Sequence, residues 1–117
     1  MKTLEKMLEY ADPLGWEHYI YMDVFPDGGE RCYVELKKDT PAAGQPKLEI
    51  GFDKANPVPT FLDGLDRYYQ NFDLEDYAAM SEQCGFRKIL EEGLAIDHML
   101  KDLYQTLSSA AEKILKE

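Results

Sequence analysis

The chain has 117 residues, of which 23 are Asp or Glu and 13 are Lys or Arg, so its formal net charge is −10 at pH 7. Binding to nucleic-acid phosphates or to an anionic membrane requires clustered Lys and Arg, so this balance disfavours direct binding to either. The chain is 44% hydrophobic, which is enough for a folded core. We predict a single domain over 1–117, with a helix and a three-stranded sheet in 1–56 and helices in 57–117.

The N-terminal residues and the cysteines bear on where the protein resides. No apolar run near the N-terminus could serve as a signal peptide, and no stretch approaches the roughly 20 apolar residues of a membrane span. Cys32 and Cys84 form no C-x-x-C pair, which favours reduced thiols. These features predict a cytoplasmic protein, and nothing in the sequence indicates a cofactor.

The first element is a short helix. Leu4, Met7 and Leu8 have helical spacing, which predicts a helix over 3–10. The sequence Asp-Pro-Leu-Gly at 12–15 ends it, because the residue before a proline avoids helical geometry and glycine supplies a turn.

Three runs of alternating apolar and polar residues follow, and they predict strands over 16–25, 31–37 and 47–53. The first two runs are separated by Pro-Asp-Gly-Gly at 26–29, a strong turn sequence. Strands joined in this way form an antiparallel meander. Together with two later positions, the inward-facing residues form the predicted core: Trp16, Ile20, Val24, Val34, Leu36, Leu48, Ile50, Phe52, Leu65 and Leu103.

The proline-containing segment 55–59 marks the change from strands to helices. Thr60 is the predicted N-cap of a helix over 60–71, with Asp63 three residues later as in a capping box. Asp73 is the predicted N-cap of a second helix over 74–84. We therefore predict an α+β fold: an N-terminal helix, a three-stranded antiparallel meander, and two or three C-terminal helices packed on one face of the sheet.

The segment 86–116 carries a heptad pattern of apolar residues, which predicts a long helix. One continuous helix of this length would reach roughly 45 Å, so the sequence leaves two alternatives: a break near Gly93, or an end that projects and needs a partner. In the second case the seam could form a homodimer. The seam residues concerned are Ile96, Leu100, Leu103 and Leu107.

The sequence offers little sign of catalysis. Neither His18 nor His98 belongs to a recognisable nucleophile motif, so we predict a protein that is not an enzyme. Asp97, His98 and Asp102 lie close together on the last helix, but a metal site needs three or four converging ligands. A solvated helix face explains these three residues more simply, and we predict no metal site.

Three tyrosines are predicted to share the exposed face of the sheet: Tyr19, Tyr21 and Tyr33. Aromatic residues on a sheet stack RNA bases in several modules, but those modules surround them with Lys and Arg. This face is acidic instead, and its acids are Glu17, Asp23, Glu35 and Glu49. Cross-strand pairs that stabilise the sheet are one interpretation, and a protein-contact patch is the other.

Half of the acidic excess lies between positions 60 and 82, where six acids accompany a single base. Asp63, Asp66, Gln70 and Asp73 step by 3, 4 and 3, which places them on one helix face with about 5–6 Å between the Cβ atoms of neighbours. That separation resembles the spacing of phosphates along a nucleic-acid strand. A solvated helix face with capping acids is the alternative. The predicted partner-binding surface comprises Asp63, Asp66, Asp73, Glu75 and Asp76.

Two stretches of the C-terminal half, Asn-Phe-Asp-Leu-Glu-Asp-Tyr-Ala-Ala-Met at 71–80 and Ile-Asp-His-Met-Leu-Lys-Asp-Leu at 96–103, carry a resemblance to known sequences. They resemble segments of short uncharacterised proteins on mobile genetic elements of anaerobic bacteria. The resemblance brings no activity and no site residues with it. It implies roles such as evasion of host defence, as in small acidic anti-CRISPR and anti-restriction proteins.

Our expectation is therefore an acidic, non-enzymatic interaction protein that inhibits a nucleic-acid-handling protein by mimicking nucleic acid. Its partner would be a basic protein surface, with no direct contact to nucleic acid or membrane. Two alternatives remain open at this stage. One is a structural homo-oligomer held by the C-terminal heptad helix, and the other is a small metal-dependent enzyme.

Overall fold

The computed structural model describes residues 2–39, 47–72, 79 and 87–116, and it has an α+β fold. The sequence prediction of an N-terminal helix, a three-stranded sheet and later helices is confirmed. The helix predicted over 74–84, with its cap Asp73, lies outside the described residues. In chain order the elements are helix α1 (Lys2–Leu8), a 3-10 helix (Glu9–Leu14), strands β1 (Trp16–Val24), β2 (Glu30–Lys38) and β3 (Lys47–Phe52), and helices α2 (Pro57–Gln70) and α3 (Arg87–Lys116).

The three strands form an antiparallel sheet in the order β1-β2-β3, which confirms the meander. The central register aligns Ile20 with Val34 and Val34 with Ile50. Strands β1 and β2 pair over nine residues each, whereas β3 pairs with β2 only from Cys32 to Lys37. The β1–β2 hairpin therefore extends beyond the end of β3.

The hairpin turn fixes the hydrogen-bond pattern of the whole sheet. The Gly28 N–H donates to the Phe25 carbonyl (2.9 Å), the Phe25 N–H donates to the Gly29 carbonyl (2.8 Å), and Gly28 has a positive φ of 86°. This is a three-residue loop closed by a glycine bulge, which the Pro-Asp-Gly sequence favours. Because hydrogen-bonded and non-hydrogen-bonded pairs alternate in an antiparallel ladder, Tyr21 and Tyr33 form a hydrogen-bonded pair.

One face of the sheet carries the core, against which the helices pack. Its sheet residues include Trp16, Val34, Leu36, Leu48 and Ile50, all buried as predicted. The helices add the buried side chains Leu4, Met7, Leu8, Val58, Phe61, Leu65, Met99, Leu100, Leu103, Leu107, Ala110 and Ala111.

The prediction that Val24 belongs to the core is wrong. Its side chain is 66% exposed, although it points to the same side of the sheet as Trp16 and Ile20. Val24 lies on the part of the hairpin that extends past β3. Strand alternation directs its side chain to the core side of the sheet, but no described element covers it there. Ile20, closer to the middle of β1, is half-buried and packs against the core.

The start of α2 also differs from the prediction. The helix begins at Pro57, three residues before the predicted N-cap Thr60, because proline is well suited to the first helical turn. The Thr60 hydroxyl accepts a hydrogen bond from the Asp53 N–H (2.9 Å) and donates one to the Asn56 carbonyl (2.6 Å). Thr60 thus ties the first turn of α2 to the end of β3.

Helix α3 is continuous from Arg87 to Lys116 and does not break at Gly93. Its heptad seam faces the interior of the same chain, where Leu100, Leu103 and Leu107 are fully covered and Ile96 packs against the core. The seam proposed for a homodimer is therefore occupied within a single chain. The long amphipathic pattern serves intramolecular packing against α1, α2 and the 3-10 helix.

Candidate binding surface

The acidic residues of α2 are partly neutralised by a base on the same helix. Asp63 forms an ion pair with Arg67 one turn later, at 2.9 Å, and both side chains are exposed. Asp66 has no Lys, Arg or His nitrogen within 4 Å in the described part of the chain. Exposed pairs such as Asp63–Arg67 contribute little to stability, and Arg67 lowers the negative field around Asp63. The other predicted members of this surface, Asp73, Glu75 and Asp76, lie outside the described residues.

The tyrosines predicted on the open face of the sheet are brought together by the register. Tyr21 lies opposite Tyr33, and their rings stack with centroids 5.3 Å apart and planes 24° apart. Tyr33 lies opposite Gly51 in β3, and its ring carbons lie 3.9 and 4.0 Å from the position of a Cβ on that glycine. Tyr33 therefore leans over the backbone that Gly51 leaves bare.

Tyr19 is the most exposed of the three tyrosines, at 52%. The Lys37 Nζ lies 5.6 Å from the centre of its ring, a cation–π geometry. Cross-strand pairing that stabilises the sheet accounts for Tyr21 and Tyr33, whereas Tyr19 presents a ring face near the β1 edge. The three tyrosines therefore do not form the single uniform patch that the sequence predicts.

Acids in the centre of the open face form ion pairs, whereas the two acids of β1 form none within the described chain. Glu35 is 17% exposed and lies 3.6 Å from the Lys37 Nζ and 3.4 Å from the Lys47 Nζ. Within the described chain, by contrast, Glu17 and Asp23 of β1 have no base within 4 Å. In the register Glu17 lies opposite Lys37 and Asp23 lies opposite Arg31, so these acids have cross-strand bases as neighbours without forming ion pairs with them.

The pKa of the Tyr21 phenol is shifted by its neighbours on the open face of the sheet. Burial of its phenol, a hydrogen bond to the Glu49 carboxylate and the nearby acids all raise the pKa of Tyr21 above its usual 10.0. Since the neutral phenol can donate to Glu49 and the phenolate cannot, the protonated form is favoured. The hydrogen bond from Tyr21 to Glu49 links β1 to β3 across the central strand.

The outer edge of β3 is covered by α2. The ladder alternation directs the backbone groups of Gly51 and Asp53 outward, and the Asp53 N–H indeed bonds to Thr60 of α2. A Cβ on Gly64 would lie 3.4 Å from the Gly51 carbonyl oxygen and 2.8 Å from the Ile50 Cγ2. Gly64 thus allows the helix to approach this strand closely.

The outer edge of β1 has a different environment. The same alternation directs the backbone N–H and C=O groups of β1's inward-facing residues away from β2. These residues are His18, Ile20, Met22 and Val24. Only the start of this edge is near a described element, since His18 Nδ1 lies 3.3 Å from an Asp12 carboxylate oxygen of the 3-10 helix. From Ile20 onward, no described strand pairs with the outer edge of β1.

Exposed apolar side chains accompany this edge at the hairpin end. Met22 is 47% exposed, and Val24 and Phe25 are also exposed. The Arg31 guanidinium carbon lies 5.0 Å from the centre of the Phe25 ring. We call the outer side of β1 from Ile20 to Val24 the hairpin edge. Sequence reasoning missed it, although the predicted meander already made β1 an edge strand.

The candidate catalytic and metal-binding residues form no larger constellation. His98 Nε2 lies 3.4 Å from Asp102, and both side chains are exposed on α3. Across the described residues, no group of three His, Cys, Asp or Glu side chains is arranged to hold a metal ion. Cys32 is a buried free thiol, and Cys84 lies outside the described residues.

Comparisons with known proteins leave the family open. The chain matches no protein-family model, no curated protein and no solved structure. None of the helices described is both long enough and apolar enough to span a bilayer.

Proposed function

We propose that this protein is a non-enzymatic inhibitor that binds a cationic surface of a nucleic-acid-handling protein in the cytoplasm. Its carboxylates would occupy a groove that otherwise holds phosphates. The formal charge of −10 would speed association with such a target, because opposite net charges steer encounter.

The observation that carries this proposal is the presence of exposed or half-exposed carboxylates that form no ion pair with a described base. Glu17 and Asp23 on β1 and Asp66 on α2 are examples within the described chain. Because no ion pair within the described chain must be broken first, these three carboxylates can face the bases of a partner. The resemblance to mobile-element proteins supports a target in host defence.

The test uses immobilised protein as bait in a nuclease-treated cell extract. The variant Asp63→Lys, Asp66→Lys, Asp73→Lys is compared with wild type, and the retained proteins are eluted with duplex DNA and identified. We expect basic nucleic-acid enzymes that wild type retains, that the variant loses, and that DNA displaces.

A matched control changes the net charge equally at other exposed positions. The variant Glu5→Lys, Glu91→Lys, Glu112→Lys adds the same positive charge elsewhere on the surface. We expect it to retain most of the binding. Equal retention by all three proteins, with no displacement by DNA, contradicts the proposal.

A further inference from the structure

We propose that the hairpin edge binds an extended cationic segment of the partner by strand addition, making it the fourth strand of the sheet. This inference rests on the proposed function, since it takes the partner to be cationic. It adds the place and the geometry of contact.

The backbone of β1 supplies the first reason. Ile20, Met22 and Val24 direct their N–H and C=O groups outward, where no described strand accepts them. Natural edge strands usually avoid unwanted pairing through proline, lysine, a bulge or short length. β1 contains neither proline nor lysine and pairs without interruption over nine residues. It therefore remains competent to pair on its outer side.

The side chains on the inward side of β1 supply the second reason. Met22 and Val24 are exposed there beyond the reach of the described helices. An added strand would set its own inward side chains beside them at about 4.5–5.5 Å between Cβ atoms. Apolar residues at those positions would cover Met22 and Val24, so the partner segment needs apolar residues at alternate positions.

The charges on the open side identify the occupant. Glu17 and Asp23 lie on that side, opposite Lys37 and Arg31 of β2, but they form no ion pair within 4 Å in the described chain. The outer neighbour position of each acid is empty of described bases, and β1 itself contains no Lys or Arg. Opposite charges facing each other across strands stabilise pairing. A second copy of this chain would bring the same acids and another net charge of −10. A segment with Lys or Arg on its outward side is favoured instead.

The test uses the full chain and a nine-residue probe peptide that alternates valine with lysine. Binding is measured by titration, and backbone amide exchange is measured with and without peptide. We expect the amides of Ile20, Met22 and Val24 to exchange fast in the free protein and to become protected on binding. A control peptide with glutamate in place of lysine should not bind.

A proline substitution separates strand addition from simple charge attraction. The Met22 N–H points away from β2, so Met22→Pro removes an outward donor without breaking the ladder. We expect its affinity for the lysine peptide to fall by at least about tenfold, the equivalent of about 1.4 kcal/mol, while Met22→Ala changes it less. Should Met22→Pro not fold, Val24→Pro removes another outward donor of the same edge, with the same loss expected.

The outcomes distinguish this inference from the proposed function. If the peptide binds Met22→Pro as tightly as wild type, or leaves the Ile20 and Val24 amides unprotected, strand addition is overturned while a cationic partner stands. Amides already protected in the free protein, or a concentration-dependent dimer that blocks the peptide, also overturn it. If extract capture fails but the peptide adds as a strand, the proposed target is wrong and the hairpin edge stands.

Discussion

The two outer edges of the sheet differ in whether another element of the chain packs against them. At β3, helix α2 follows within a few residues and covers the strand through Gly64 and Thr60. At β1, the preceding 3-10 helix reaches His18, and no described strand pairs with the outer side of the remainder of the strand. Both edges direct backbone groups outward. Beside β3 the Asp53 N–H finds a partner in α2, whereas no described strand pairs with the outer groups of β1 from Ile20 onward.

Proline substitutions at adjacent positions of β1 test this comparison most strongly. The Tyr21 N–H bonds to Tyr33 in β2, so Tyr21→Pro removes a ladder bond and the ring stack. We expect a loss of about 2–4 kcal/mol in the free energy of unfolding. Met22→Pro should cost less than about 1 kcal/mol, because its N–H faces outward. Urea unfolding measures both, with Tyr21→Ala as the control for the lost ring, and equal losses at the two positions would refute the assigned ladder.

Enlarging Gly64 tests the cover on the β3 edge. A valine Cβ there would lie 2.8 Å from the Ile50 Cγ2, so α2 must move away from the strand. We expect Gly64→Val to destabilise the protein by about 1–3 kcal/mol in thermal unfolding. Combining it with Ile50→Ala removes the obstructing methyl group, so the two losses should be less than additive. A neutral Gly64→Val would show that α2 is not held close.

Thr60 provides a smaller test of the same cover. Thr60→Val keeps the shape of the side chain but removes the hydrogen bonds of its hydroxyl, which accepts from the Asp53 N–H and donates to the carbonyls of Asn56 and Pro57. We expect a loss of about 0.5–1.5 kcal/mol in urea unfolding, together with faster exchange of the Asp53 amide. Thr60→Ser should retain most of the stability. Wild-type exchange of the Asp53 amide in Thr60→Val would count against the tether.

The titration of Tyr21 gives the smallest effect and reports on the face between the edges. Burial and the Glu49 carboxylate raise its pKa above 10.0, so the fold favours the neutral phenol. The resulting stabilisation is complete below about pH 10 and is lost as the pH rises through the folded-state pKa. Glu49→Gln should bring the pKa of Tyr21 back toward 10.0, as measured by NMR of the tyrosine ring carbons. An unchanged pKa would mean that the charge of Glu49 does not act on Tyr21.

Local periodicity and turn chemistry were enough to predict the fold class and the meander. Alternation over 16–25 and the Pro-Asp-Gly turn act within a few residues, so they need no knowledge of the rest of the chain. The prediction for the start of α2 was wrong, and the reason is also local. Pro57 occupies the first helical position, and the hydroxyl of Thr60 serves a contact with β3 rather than a cap.

Burial of particular side chains was less predictable, because it depends on which element lies above each residue. Val24 has the alternation of a core residue but lies past the end of β3, and it is exposed. The heptad seam of α3 has the pattern of an oligomer interface, yet Leu103 and Leu107 are covered by the same chain. Periodicity shows that a face is apolar and does not say what covers it.

The sequence by itself determined the acidic character, the α+β class, the strand order and the tyrosines' shared face, because these follow from composition and from spacings of two to four residues. Only the tertiary structure decided that α2 packs against one sheet edge and that no described strand pairs with the backbone groups of the hairpin edge. Those features depend on where segments far apart in the sequence pack against one another, and spacings of two to four residues do not determine that packing.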